Sequence, residues 1–594
     1  MEPNPLAVFP PATEIFPDIT PNFATLKTLL NGLSRTDLIF WCGRINLILS
    51  NSANPDFKAK QEYVLQLFFT PDEINKINRF AIERGGISKV RVFSRGTVLD
   101  LLRYGALYCQ DRPEDEEIYS KEQNIRKFAR CLAVTNELWS KNLYGKGRMS
   151  LEDGIEAARL KALGAIRKGI EASETGPNVM LALGRGSSIM CEYFPRFYRD
   201  ANAEFQSIAN LSLEDYYVCM ASLIPDHLNI SPEKALLDPT KRGIFDISCF
   251  AKTFPSLQKI FNHLIALESQ TVIELSESLK QEKTATEEGH AFHDSKALRR
   301  KPLLSAVDGR ALVGDPVYFI DKLLVGPIFH ILRGNEDANR VFGEFGRAFE
   351  QYASDILAGM FPSETNRLKI DVRGKDRRRN DVQIFDASLE YPQATISFEF
   401  KAAWINEEKI LPDQHEVFLE HIRDKYGVSS GSQERLKGVA QLARSIANLS
   451  AGEWDVDDLD LKSRLIFPVL LVHDSLFDAP AYGNFLAIEF EKALQPDEKY
   501  EFGIMKKGAL KIVPLILMTI EDLENLEQSV QTFSLYDLLY DYAVTHDDRI
   551  VSLHNFMASS QYRDQLHPSK RLLAKATNIL DKLWDMIQTG IGDV

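Results

Sequence analysis

Cysteine is scarce and confined. The six, Cys42, Cys109, Cys131, Cys191, Cys219 and Cys249, all precede residue 250. No two stand in a CxxC spacing, which speaks against a zinc ribbon or a thioredoxin-type centre. Isolated thiols of this kind pack as small apolar groups. Such usage fits a reducing compartment, so a cytoplasmic location is expected. Long apolar runs are missing too. The longest candidate, IFPVLLV at 466–472, has the length of a buried strand. A membrane-crossing helix needs roughly 20 residues, so no membrane partner is expected. The first residues, MEPNPLAVFPPATEIFPD, lack the basic and apolar regions of a signal peptide. Positive charge is in deficit: 70 Lys and Arg against 84 Asp and Glu leave a net −14. That excludes an overall basic coat for nucleic acid, but not a local basic groove. GRGSS at 184–188 lacks the GK[ST] of a Walker A loop and reads as a turn or helix cap. No GxSxG elbow, HExxH pair or fixed-period repeat occurs.

What is present is an ordinary globular composition, 44% apolar and 26% charged over 594 residues. That length holds about three to five domain-sized units. The first half reads as mainly helical. Thr70, Pro71 and Glu73 form a capping box before a helical stripe. Further helices are expected over 115–143, 151–173, 203–223 and 254–280. Residues 281–301 are polar and charged and read as a linker. His290 and His293 within it lack a third ligand. Beyond it, strands (381–386, 394–402, 465–473, 511–518) alternate with helices (337–360, 432–449, 520–529, 534–543). The chain is therefore expected to be multidomain. A mainly α-helical sensor, regulatory or specificity region would span 1–295, and an α/β region 296–594, with a small mixed sheet flanked by helices in a core at 335–475.

The chemistry concentrates in 344–445. The helix EFGRAFEQYASDILAGMF carries Glu350 beside its apolar side. RLKIDVRGKDRRR (367–379) follows, with seven Lys and Arg against two Asp. Arg373, Lys375, Arg377, Arg378 and Arg379 make it a candidate phosphate contact. NDVQIFDASLEYPQATISFEFKAAW then reads as a β-hairpin with its turn centred near residue 390. In that register partner numbers sum to about 780, so Asp381 faces Glu399, and Lys401 shares their face. Val382, Ile384, Ile396, Phe398 and Phe400 would form the opposite, core face. Asp386 has the wrong parity for the cluster, a ranking that a one-residue change of register would reverse. Carboxylates and an ammonium on one face suit phosphodiester hydrolysis. Asp381, Glu399 and Glu350 would hold Mg²⁺, or Mn²⁺. Lys401 would act on the water or the phosphate.

A helix glutamate, then an Asp, then Glu-x-Lys on the next strand resembles the PD-(D/E)xK nuclease superfamily, the restriction-endonuclease-like enzymes. The matching pieces are Glu350, Asn380-Asp381 and Glu399-Phe400-Lys401. The helix ERLKGVAQLARSIANL is similar to the one that follows the lysine in that family, with Gln441 as a supporting catalytic residue. Asn380 stands where the motif has Pro, and Ser445 where an exonuclease-type pattern has Tyr. The resemblance spans roughly 335–475. It implies a restriction-endonuclease-like fold and a Mg²⁺-dependent nuclease, acting on DNA rather than RNA, with a role in restriction or antiviral defence. A protein partner or a second copy would meet the helical half. The alternative is a non-catalytic nucleic-acid-binding or scaffold protein with a nuclease-like fold.

Overall fold

The computed structural model describes residues 9–50, 57–84, 86, 90–110, 122–143, 178–224, 244–246, 255–281, 296–305, 310–335, 337–362, 367–405, 415–427, 436–456, 464–478, 482–545 and 551–592. The helix expected over 151–173, most of the 281–301 linker, and His290 and His293 lie outside them. Before residue 225 the described residues are almost entirely helical. Helix α1 (Arg35–Ser50) is buried on nearly every side, mostly through apolar residues but with Asp37, Arg44 and Asn46 buried among them. Helix α2 (Pro71–Glu83) starts on the expected box: Glu73 N donates to Thr70 Oγ1 at 3.2 Å, and Thr70 N to Glu73 Oε2 at 2.7 Å. Helices α3 (Glu122–Leu143), α4 (Val179–Ser187) and α5 (Leu213–Ser222) follow. The helix expected over 203–223 is broken at Asn210, whose φ of 55° caps Ala201–Ala209 in the left-handed region. The one expected over 254–280 is split by a short strand, Ser269–Thr271.

Strands β1 (Ile244–Asp246), β2 (Ser269–Thr271), β3 (Leu303–Ser305) and β4 (Arg310–Val313) form a small sheet in the order β1-β4-β3-β2. Its strands come from both sides of the linker. The second half is α/β, as expected, with a larger mixed sheet. Helices α6 (Pro316–Gly334) and α7 (Ala338–Met360) lead into strands β5 (Arg367–Asp376), β6 (Asp381–Glu390) and β7 (Ala394–Lys401). Helix α8 (Val439–Ser450) and strands β8 (Trp454–Asp455), β9 (Leu465–Val472), β10 (Glu498–Lys499), β11 (Met505–Lys507), β12 (Leu510–Ile512) and β13 (Ile516–Thr519) complete the sheet. Its order is β10-β11-β12-β9-β7-β6-β5-β8, with β13 also pairing β9. The strand expected over 511–518 divides around Pro514, which has no N–H to give. Both parts still pair in parallel with β9. Helices α9 (Ile520–Leu526), α10 (Leu553–Ser559) and α11 (Lys570–Gly592) close the fold.

The two faces of the sheet bury different helices. Ile396, Phe398 and Phe400 pack with Phe345 and Phe349 of α7. Ile384, Ile466, Leu470 and Val472 pack with Val439, Leu442 and Ile446 of α8. Ile384 thus lies on the face opposite Phe398, contrary to the register read from sequence. Cys42, Cys109, Cys131 and Cys219 are buried free thiols, as expected. GRGSS runs as helix, not turn. Gly184 and Gly186 admit carbonyl oxygens that a Cβ would meet at 2.3 Å (Leu572) and 1.8 Å (Leu323). No described helix is long and apolar enough to cross a membrane.

Candidate active site

The β6–β7 hairpin sets the site. Pro392 sits second in the turn Tyr391–Ala394, where its fixed φ suits a β-turn. Tyr391 N donates to Ala394 O at 2.7 Å. The ladder therefore runs from Glu390/Thr395 to Ala387/Phe398. Partner numbers sum to 785, not 780. The odd difference reverses the parity of β6 against β7. Carried one step past the last pair, that register would set Asp386, not Asp381, opposite Glu399.

That rung is where the two strands part. β7 stays paired with β9 as far as Lys401/Val472, but Phe400 N–H turns to the Asp386 carboxylate and donates to Oδ2 at 2.6 Å. Gln383 Nε2 donates to Oδ1 of the same group at 2.9 Å. Glu399 is 0% exposed. Lys401 Nζ lies 2.7 Å from its Oε1. Its Oε2 has no hydrogen-bond partner among the described residues, an arrangement that native interiors rarely tolerate.

Glu350 reaches this cluster from α7, half-buried. Burial, with Asp386 nearby, raises its carboxyl to about 7 against the pull of Lys401. Burial and the Asp386 charge push Glu399 up to about 8, opposed by Lys401. Asp386 is raised as well, chiefly by burial. Burial pulls the Lys401 ammonium down, but Glu399 and Asp386 outweigh it and hold it above its ordinary value. Three carboxylates thus share one ammonium. Burial pushes each of them toward its protonated form, and the Asp386 charge adds to the shift of both Glu350 and Glu399. The donors are all oxygen, the kind that Mg²⁺ or Mn²⁺ takes, but the three carboxylates do not converge within 4.8 Å as Asp478, Asp522 and His554 do.

The structure separates other expected residues from this group. Asp381 is at the far end of β6, about 17 Å along the strand at 3.3 Å per residue. It is exposed and paired with Lys375, which holds its carboxyl below the usual range. Gln441 is half-buried on α8, which packs on the Glu399 face of the sheet. No hydrogen bond joins it to the cluster among the described residues. Arg373, Lys375, Arg377, Arg378 and Arg379 all lie exposed on the β5–β6 hairpin. Arg373 pairs with Asp371 at 2.8 Å and Arg377 with Glu453 at 2.6 Å. Arg378 and Arg379 make no ion pair among the described residues. Asn380, expected in the Pro position of the resembled motif, serves the turn: its side chain and backbone N–H both donate to Asp376.

Asp386 is the residue that sequence reasoning ranked too low. Its signal was Pro392, which fixes the turn at 391–394 and with it the parity. No family model matches the chain, and no curated protein and no solved structure matches it either.

Proposed function

We propose that this protein is a metal-dependent nuclease of restriction-endonuclease-like fold, and that Asp386, Glu399 and Lys401, with Glu350, form its catalytic centre. The observation that carries the reading is the splayed β6–β7 rung. It sets a buried carboxylate with an unpartnered oxygen beside a second carboxylate and an ammonium. Asp386 and Glu399 would hold Mg²⁺, with Glu350 at its margin. The bound cation supplies an acidified water and neutralises charge on the scissile phosphate. Lys401, fixed by Glu399, stands where it can orient the attacking water or steady the charge that develops on the phosphate. The basic tip of the β5–β6 hairpin offers a contact to the nucleic-acid backbone, with DNA the expected substrate.

The test is cleavage of plasmid, linear and single-stranded DNA and of RNA with Mg²⁺, Mn²⁺ or EDTA. Wild type would run beside Glu399→Ala and Lys401→Ala. Metal-dependent cutting by wild type alone supports the reading and names the substrate. Binding that is insensitive to EDTA, with no cutting of any substrate, refutes it in favour of a scaffold.

A further inference from the structure

A second polar cluster lies among the elements that follow β9. Asp478 ends the short helical turn Ser475–Asp478, Asp522 is the third residue of α9, and His554 is the second residue of α10. One ligand atom from each lies within 4.8 Å of the other two. His554 Nδ1 is 3.3 Å from Asp522 Oδ1. Asp522 is 1% exposed. Its Oδ2 is used by the helix cap, accepting from Thr519 N at 2.9 Å. Its Oδ1 is left inside the cluster with no hydrogen-bond partner among the described residues. Asp478 Oδ1 and His554 Nδ1 are buried and without one too.

Three converging donor atoms, two of them joined only by the 3.3 Å ion pair of His554 with Asp522 and the third, Asp478 Oδ1, without a partner among the described residues, suit a cation better than a closed hydrogen-bond network. A protonated imidazole answers only one of two carboxylates. An imidazole nitrogen with two carboxylate oxygens suits zinc-like transition ions better than Mg²⁺, which prefers oxygen alone. Donors at about 2.0–2.2 Å from a tetrahedral zinc stand roughly 3.4 Å apart. The His554–Asp522 separation already matches that spacing.

We propose that Asp478, Asp522 and His554 bind a divalent transition-metal ion, zinc by preference, as a structural clip distinct from the Glu399 centre. The three ligands come from segments far apart in sequence. Together they tie the exit of β9 to α9 and α10, so that a bound ion would fasten the C-terminal helices to the sheet.

The test uses full-length protein purified without a metal-affinity tag and dialysed against zinc. Metal content is measured for wild type, His554→Ala, Asp478→Asn and Glu399→Gln. About one zinc per chain is expected in wild type and Glu399→Gln, and at least about tenfold less in the other two. Chelation should lower the melting temperature of wild type and leave that of His554→Ala unmoved. His554 is 37% exposed, so its removal should spare the fold. Far-ultraviolet circular dichroism checks this, and His554→Gln replaces it if it does not. Manganese or iron retained in place of zinc, and lost in the same variants, upholds the site. No stoichiometric metal in wild type overturns it, as does equal retention in His554→Ala and Asp478→Asn, or loss in Glu399→Gln.

Discussion

At the scale of single residues, the two aspartates of β6 separate the readings most sharply. Asp386 accepts from Phe400 N–H and lies beside Glu399, whereas Asp381 is exposed beside Lys375. Asp386→Asn should lower kcat/KM for metal-dependent cleavage by at least about 100-fold, the usual scale for losing a preorganised electrostatic group. Asp381→Asn should leave it within about twofold, as surface changes do. Parallel cleavage kinetics check both. Protonation gives a second handle. Burial and the Asp386 charge raise Glu399 from its ordinary 4.5 to about 8. A raised carboxyl binds its proton more tightly folded than unfolded. The stability this contributes is full below pH 4.5 and lost as pH climbs through 8. In EDTA the melting temperature should therefore fall between pH 5 and pH 9, and Glu399→Gln should flatten that fall. A cation must displace the same protons. Apparent Mg²⁺ affinity, measured by calorimetry, should rise with pH across 7–8.

At the scale of elements, Glu399 and Lys401 were legible because a strand's period of two is strict. The partner register was not, and Glu390 shows why. A Ser-Leu-Glu sequence looks like part of a turn, but Glu390 is 5% exposed inside β6. Arg464 neutralises it, and Lys369 lies 3.7 Å away. Both come from other parts of the sheet, so no local pattern announces the burial. Strand β5 was hidden in the same way. Its lysines and arginines stood out only as a basic segment, yet it pairs with β6 over most of its length, across a bulge after Val372. At Gly374 the neighbouring Asp455 carbonyl would lie 2.2 Å from a Cβ. Only glycine lets β8 approach, and no spacing in the sequence predicts that. The consequence is that the basic residues are mounted on a rigid hairpin rather than a free loop. Arg378 and Arg379 at its tip are not committed to ion pairs among the described residues. Changing both to Ala should weaken DNA binding without regard to sequence. It should also reduce the slope of log K against log salt by about 2, one phosphate contact for each. Fluorescence anisotropy over a salt series reads this directly.

At the scale of the whole molecule, the change in texture near residue 295 was visible in composition, but the joins across it were not. Strands from both sides make one sheet, in which β1 pairs β4 and β2 pairs β3. Arg185 of α4 is buried and gives two hydrogen bonds from Nε to Glu524 of α9, at 2.9 and 2.8 Å. Glu524 also accepts from Tyr352 of α7 at 2.6 Å, and Arg571 of α11 donates to the same Tyr352 at 3.2 Å. Tyr193 adds a bond to Asp355 at 2.9 Å. Tyr352 stands two residues from Glu350, so the helix that carries part of the candidate centre is anchored by the first half of the chain. Arg185→Ala would leave the Glu524 carboxylate buried without its counter-charge, and breaking such a pair costs about 3–5 kcal/mol. A fall of several degrees in melting temperature is expected, measured by calorimetry. Cutting the chain at 295 removes far more. It strips Arg185 and the neighbours that admit Leu323 and Leu572 at Gly186 and Gly184, and it exposes one side of α11. A fragment 296–594 should therefore aggregate or melt without a cooperative transition, as size-exclusion chromatography and a thermal scan would show. If the fragment instead folds and melts cooperatively, the buried network is an interface and not a shared core. Cleavage by the fragment could then be compared directly with that of the full chain, to ask whether the helical half restrains the site.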